Sequence, residues 1–361
     1  PPASAGRRPA DLTLTCPGHQ PPGWPAGSVT VVSADGPAAI TMPMTTLSAA
    51  GPAVSRIGLG LAALGRPAYI TGGRAGDLPD RSVPGLRGRT IEMLDAAYDS
   101  GIRYFDAARS YGRAEEFLGR WLASREYPDA VAGSKWGYRY TGRWRLDADR
   151  QEVKEHSLSM FSTQRAQTRA ILGSRLALYQ VHSLTEDSGL LADRALLAAL
   201  GRLRASGVII GLTTSGPGQA ATIRRALQAT VDGEPLFSVA QVTWNLLEPS
   251  AAPAAAEAAA AGWTILVKEA LANGRLAAGS DPGGVPAPLA ALAAERNVTA
   301  DAIAISAALA NPWAGVVLSG AVTPWQLKSN LTALAIRDLP PLGLAEPPGR
   351  YWARRAARPW Q

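Results

Sequence analysis

From Val54 onward, short apolar runs alternate with longer stretches in which apolar residues recur every three or four positions. The runs RIGLGLAAL, RYFDA, AVAGSKW, LALYQVHS, VIIGLTTS, SVAQVTWN, TILVKEA and GVVLSGA read as strands. Helices are expected around Thr90 to Tyr98, Ala114 to Ser124, Gln151 to Leu172, Asp193 to Ala205 and Ala220 to Ala229. An alanine-rich helix ending at Ala260 and segments from Pro288 to Ala310 and Pro324 to Leu334 complete the series. Eight strand-helix units in strict alternation predict an α/β fold with a parallel sheet closed on itself, a (β/α)8 TIM barrel. Gly58, Gly60 and Gly65 do not fit G-x-G-x-x-G, which argues against an open dinucleotide-binding sheet.

The flanks lack this period. Residues 1–43 are rich in Pro and Gly and have no signal-peptide order of basic, apolar and small residues, so they read as a disordered or loosely docked extension. Met44 opens the first foldable sequence and is a candidate natural start. The barrel is expected over 44–336, and the proline-bearing tail 337–361 as an extended segment packed on it.

Composition removes several function classes. The net charge of +7 and pI of about 9.8 raise nucleic acid as a partner, but the basic residues are scattered and form no run interleaved with aromatics. Cys16 is the only cysteine, and His19, His156 and His182 share no ligand spacing, so no metal site is expected. No apolar run reaches membrane-spanning length, and a soluble, cytoplasmic protein is expected.

Active sites of a TIM barrel lie at the C-terminal strand ends. There the chain places Asp106 after the second strand, Lys135 at the third, His182 at the fourth, Thr213 and Thr214 at the fifth, Gln241 at the sixth and Lys268 with Glu269 at the seventh. Each residue taken alone has a structural reading as a cap, a core histidine or a packed loop aromatic. Lys135 stands out because the chain otherwise prefers arginine, and a buried ammonium needs a carboxylate such as Asp106. Tyr111 follows Asp106 in the same loop. A phenol beside an ammonium is expected to have its pKa lowered, and a neutral imidazole can orient a carbonyl. Asp106, Tyr111, Lys135 and His182 thus form a candidate acid/base site for a carbonyl and alcohol couple, with a cofactor required to carry hydride.

With those residues located, the chain resembles the aldo-keto reductase superfamily. The matching motifs are FDAARSYG with EEFLGRWL, then GSKWG, LYQVHS, IIGLTTS, QVTWNLLE, VKEALANGRL and VVLSGAVTPWQLKSNL. The resemblance implies Tyr111 as general acid, Lys135 and Asp106 as its tuning pair, and His182 as the carbonyl-orienting residue. It also implies a nicotinamide dinucleotide laid across the barrel mouth. Gly60 would line it near the first strand, Thr213, Thr214 and Gln241 would hold its carboxamide, Leu271, Asn273 and Arg275 would lie along its pyrophosphate and the loop over it, and Gly320, Thr323, Gln326 and Asn330 would meet its adenosine end. The family's common Ser-Asn pair is here Thr213-Thr214, and its stacking aromatic is replaced by Lys268, which is expected to pair with Glu269 or to meet an anionic group. NADP is the favoured cofactor, with NAD possible. The implied partner is a small-molecule aldehyde, ketone, sugar or alcohol. Trp244 is expected in barrel packing or in the pocket wall, and the tail residues Tyr351 and Trp352 near the substrate pocket. An NADP(H)-dependent oxidoreductase is the reading this implies, with a nucleotide-sensing subunit of little turnover as the alternative, and the oligomeric state is left open.

Overall fold

The computed structural model describes residues 41–72, 74–124, 126–279 and 283–361. The extension expected as disordered, with Cys16 and His19, falls outside the described residues up to position 40. Eight parallel strands close a barrel in sequence order: β1 (Ile57–Gly60), β2 (Tyr104–Asp106), β3 (Val131–Trp136), β4 (Leu176–Leu184), β5 (Ile209–Thr214), β6 (Val239–Thr243), β7 (Thr264–Lys268) and β8 (Ala314–Ser319). The predicted TIM barrel is therefore the fold. Its strands are buried on both faces, which is why they read as continuous apolar runs instead of alternating ones.

The helices between strands are α1 (Val83–Asp99), α2 (Ala114–Ser124), α3 (Leu158–Leu172), α4 (Arg194–Ala205), α5 (Gln219–Leu227), α6 (Ala252–Ala260), α7 (Ala287–Glu295), α8 (Ala300–Leu309) and α9 (Pro324–Leu331). On α2, Phe117, Leu118, Trp121 and Leu122 form the buried stripe expected from their spacing. Two expectations shift. Helix α1 begins at Val83, earlier than Thr90, because Ser82 caps it by accepting from the Gly85 amide and proline is tolerated in the first turn. The segment expected as one helix from Gln151 instead pairs Glu152–Lys154 with Tyr138–Tyr140 in an antiparallel hairpin, and helix α3 starts only after the Ser157 cap. The helical segments expected between Pro288 and Ala310 are α7 and α8, with Thr299 capping the second.

The lower end of the barrel is plugged by a hairpin of Met44–Thr46 and Ala53–Ser55. Leu47 and Val54 join Tyr104, Leu178, Val239, Leu266, Val316 and Leu318 in one buried cluster there. Tyr104 fills the lumen so closely that a Cβ on Gly133 would sit 2.2 Å from its hydroxyl, which explains the glycine in that strand.

The tail departs from the extended reading. It runs without regular structure to Glu346 and then forms α10 (Pro348–Ala356). Tyr351 and Trp352 on that helix are buried in a satellite cluster with Leu276, Leu289 and Ile303. Beyond it the chain crosses the strand ends. Arg358 donates to the carbonyls of Asn273 and Ile70 at 3.0 Å each, and Gln361 exchanges both backbone hydrogen bonds with Tyr69.

Candidate active site

Asp106 closes β2 and Lys135 lies one residue from the end of β3, so their side chains meet at the upper rim. They form a fully buried ion pair, and the Lys135 ammonium also donates to the Ala107 carbonyl at 2.9 Å. Burial pushes the Lys135 pKa down, and the Asp106 carboxylate acts against that shift. Asp106 is held further: Tyr104 Oη and Gln241 Nε2 donate to its Oδ1 at 3.1 Å each.

Tyr111 lies in the loop before α2, with the Lys135 ammonium 4.8 Å from its ring centroid. His182 packs edge-on against it at 5.5 Å between ring centroids. The pairing of β4 with β5 breaks register between Val181 and Leu184, and Ser183 has a positive φ of 51°. Such a bulge re-aims a side chain at a strand end, here His182. Its Nδ1 lies 3.4 Å from Ser110 Oγ, and the Tyr138 ring of the inserted hairpin packs at 4.9 Å. Burial, then Lys135, Arg66 and Lys268, hold its pKa well below the ordinary value, so the imidazole is neutral at physiological pH.

The four residues expected together are thus brought together, but the expected sign for the phenol is reversed. Burial, followed by the Asp106 carboxylate, pushes the Tyr111 pKa well above 10, and the Arg66 guanidinium only partly opposes this. Desolvation of the phenolate outweighs the neighbouring cations.

The remaining expected contacts divide into two groups. Gly60 and Gly320 leave bare backbone at the rim, since a Cβ on Gly60 would meet nothing nearer than the Ser319 carbonyl at 3.5 Å and one on Gly320 nothing within 4 Å. Leu271 lies just past β7, half-buried. The others, apart from Asn273, have side chains engaged by protein partners. Thr213 Oγ1 accepts from the Ser183 amide, Thr214 donates to Gln219, and Gln241 donates to Asp106. Thr323 caps α9, Gln326 joins the Val322 amide to the Asp77 carboxylate, and Asn330 bridges Ser319 and Asp301. Arg275 is paired with Glu346, and Asn273 is buried in a left-handed conformation with its carbonyl accepting from Arg358.

Lys268 donates to Thr243 Oγ1 at 2.5 Å and stands 3.7 Å from Glu269, so the expected pairing with Glu269 is present. The Trp352 ring centroid lies 6.0 Å from the same ammonium. Trp244 packs edge-on against Trp313, as a barrel-packing residue does. Three neighbours of the site were not legible in the sequence: Arg66, Glu152 and Arg355. Arg66 alone left a signal, as a cation two residues past the apolar run RIGLGLAAL.

The sequence profile of the Aldo/keto reductase family matches residues 57–341. The chain belongs to that family. It is 28% identical over 344 residues to a D-threo-aldose 1-dehydrogenase of a Pseudomonas species, an alignment that covers 86% of this chain and 98% of that one. A solved structure of an aldo-keto reductase from Pseudomonas aeruginosa, described as putative, superposes with a TM-score of 0.58 at 25% identity, covering 81% of this chain and 94% of that chain. An aldo-keto reductase from Bacillus halodurans in its holo form shares the fold with a TM-score of 0.62 at 18% identity, over 87% and 96% of the two chains. Family membership makes the protein a nicotinamide-dependent oxidoreductase. Among the described residues no helix is long and apolar enough to cross a membrane, and no group of His, Cys, Asp and Glu side chains is arranged to hold a metal ion.

Proposed function

We propose that this aldo-keto reductase interconverts the carbonyl of an aldehyde, ketone or sugar with the corresponding alcohol, and that Tyr111 is its general acid and base. The observation that carries the reading is the placement of the Tyr111 phenol between the buried Lys135–Asp106 pair and the neutral His182 imidazole. The residues fit a nicotinamide dinucleotide: the bare rim at Gly60 and Gly320 leaves room beside Asp106, with which Gly60 is in register. Gly60, Leu271 and Gly320 would hold it, with the start of α9 at its phosphate-bearing end.

A bound dinucleotide would be the source of hydride for the carbonyl carbon in reduction and its acceptor in oxidation. Tyr111 gives its phenolic proton to the carbonyl oxygen as that oxygen gains charge, and takes the proton back in the reverse direction. A phenol held high in pKa remains protonated at neutral pH, which suits the acid role in reduction. Neutral His182 orients the carbonyl oxygen without competing for the proton. The D-threo-aldose 1-dehydrogenase relative makes oxidation of an aldose at its anomeric carbon the first substrate class to test.

One observation favours NAD(H) as a second reading of the cofactor beside NADP(H). Gln326, expected at the adenosine end, donates to the Asp77 carboxylate at 2.8 Å. A carboxylate there would accept hydrogen bonds from a ribose hydroxyl and repel a 2′-phosphate.

The test is the rate of NADPH and NADH oxidation, and of NADP+ and NAD+ reduction, with aldehydes, ketones and aldoses, for wild type and Tyr111→Phe. Turnover that falls by at least about 100-fold in the variant with dinucleotide binding retained supports the reading. Tight dinucleotide binding with no turnover on any substrate would replace it with a nucleotide-sensing role, and absence of binding would overturn both.

A further inference from the structure

Arg66 follows β1 in a loop that lies directly on the Tyr111 backbone. A Cβ on Gly65 would sit 2.2 Å from the Tyr111 carbonyl, and Gly112, at φ +59°, allows the reverse approach to the Gly65 carbonyl. This close packing puts an arginine that is only 2% exposed among three aromatic rings. Its guanidinium carbon lies 5.1 Å from the Tyr111 centroid, 5.2 Å from Tyr69 and 4.7 Å from Trp360. The orientation is fixed by hydrogen bonds. Nη1 donates to Glu152 Oε2 at 2.7 Å and to the Ser110 carbonyl at 3.0 Å, and Nε donates to the Ala62 carbonyl at 3.3 Å.

We propose that Arg66, anchored by Glu152 of the inserted hairpin, is the positioning residue that supplies the permanent positive charge beside Tyr111 and fixes the loop carrying its phenol. The proposal rests on the acid and base role of Tyr111 given above. Lys135 is the weaker candidate for that charge. Its ammonium is committed to Asp106 inside the barrel and its pKa is lowered by burial, whereas a guanidinium cannot lose its proton in this range. Glu152 is partly exposed, so water screens its opposing charge more than it screens the buried Asp106.

The charged and titratable groups facing Tyr111 come from several elements. Asp106 and Tyr104 lie on β2, Lys135 on β3, His182 on β4, Glu269 after β7, Arg66 and Tyr69 after β1, and Glu152 on the hairpin. Burial, Asp106, Glu152 and Glu269 favour the neutral phenol, while Arg66 favours the phenolate. Removing Arg66 and removing the Glu152 charge should therefore move the phenol in opposite directions. Loosened packing alone predicts no such opposition.

The experiment follows the full-length chain labelled with fluorotyrosine by 19F NMR across alkaline pH, the Tyr111 resonance being assigned by its loss in Tyr111→Phe. It compares wild type, Arg66→Met, Arg66→Lys and Glu152→Gln, and reads in parallel the alkaline limb of kcat/KM in the reduction direction. Arg66→Met is expected to raise the Tyr111 midpoint and the kinetic limb by about one pH unit or more, Arg66→Lys to recover at least about half of the shift, and Glu152→Gln to lower both. Shifts of the same sign in Arg66→Met and Glu152→Gln, or none above about 0.3 unit, would overturn the proposal. Should Arg66→Met fail to fold, Arg66→Lys and Glu152→Gln decide by the same signs. Wild type that binds neither NADH nor NADPH would remove the oxidoreductase reading, while the fluorine titration still decides the place of Arg66.

Discussion

The Arg355 guanidinium donates to both carboxylate oxygens of Glu269, at 2.5 to 3.1 Å, and so ties α10 to the end of β7 beside the candidate active site. Glu269 holds a left-handed backbone conformation, φ +56°, that a non-glycine residue adopts only when its surroundings over-determine it. Burial pushes the Glu269 carboxyl up, but the Arg355 guanidinium and the Lys268 ammonium outweigh it and hold the pKa at about 2. A depressed acid contributes stability that is complete above its unfolded value of about 4.5 and is lost as pH falls through that window to about 2. Wild type should therefore lose of the order of 3 kcal/mol across this range that Glu269→Gln does not lose. Urea unfolding at a series of pH values checks this, and parallel pH curves for the two proteins would refute it.

Lys268 gives a second linkage of opposite location. Burial lowers its pKa to about 8, with Glu269 acting to raise it and Arg355 and Lys135 adding to the lowering. Between pH 8 and its ordinary 10.5 the unfolded chain holds the proton and the folded chain has released it. Stability from this group should therefore rise with pH across that window. In Lys268→Met the rise should vanish, which thermal unfolding between pH 7.5 and about 10 would reveal as a smaller gain in Tm for the variant.

The buried Lys135–Asp106 pair predicts strong non-additivity. Lys135→Met leaves a carboxylate inside the barrel with only the neutral donors of Tyr104, Gln241 and Gln180, and should cost about 3 to 5 kcal/mol. Asp106→Asn keeps an oxygen acceptor for those donors. Combining the substitutions should recover most of the loss, because no uncompensated charge remains. A double-mutant cycle by denaturant unfolding measures the coupling, and simple additivity would show that the pair contributes little as a pair.

The site was legible in the sequence where a polar residue interrupts an apolar run. Lys135 in AVAGSKW and His182 in LALYQVHS could be placed at strand ends because parallel barrel strands are buried on both faces and a charged or titratable exception is conspicuous. The hairpin from Tyr138 to Lys154 was not legible, because Glu152 to Lys154 pairs with a partner across a loop that carries no strand period of its own. Local pattern cannot report such pairing. For the same reason Glu152 and Arg355 were out of reach, since their roles depend on Arg66 and Glu269, which lie 86 residues away in each case. The reversed sign at Tyr111 has a different origin. Proximity to Lys135 could be read from the chain, but the depth of burial that outweighs it could not.

Cofactor choice can be settled at Asp77. Its carboxylate accepts from Gln326 Nε2 at 2.8 Å, and Gln326 in turn accepts from the Val322 amide at 2.9 Å, so the acid is tied to the loop entering α9. Arg275, the cation that the resemblance places along the dinucleotide, is paired with Glu346 and stacks on Tyr351 at 5.8 Å, which lessens the positive charge available to a phosphate. A negative charge near the adenosine ribose should penalise a 2′-phosphate by simple Coulomb repulsion, of the order of 1 kcal/mol or more at a partly buried site. Asp77→Asn keeps the acceptor for Gln326 and removes the charge. The ratio of kcat/KM for NADP(H) over NAD(H) should then rise by about tenfold, mainly through KM for the phosphorylated dinucleotide, and the gain should shrink as ionic strength increases. An unchanged ratio would place the ribose away from Asp77 and leave the choice of dinucleotide to other residues.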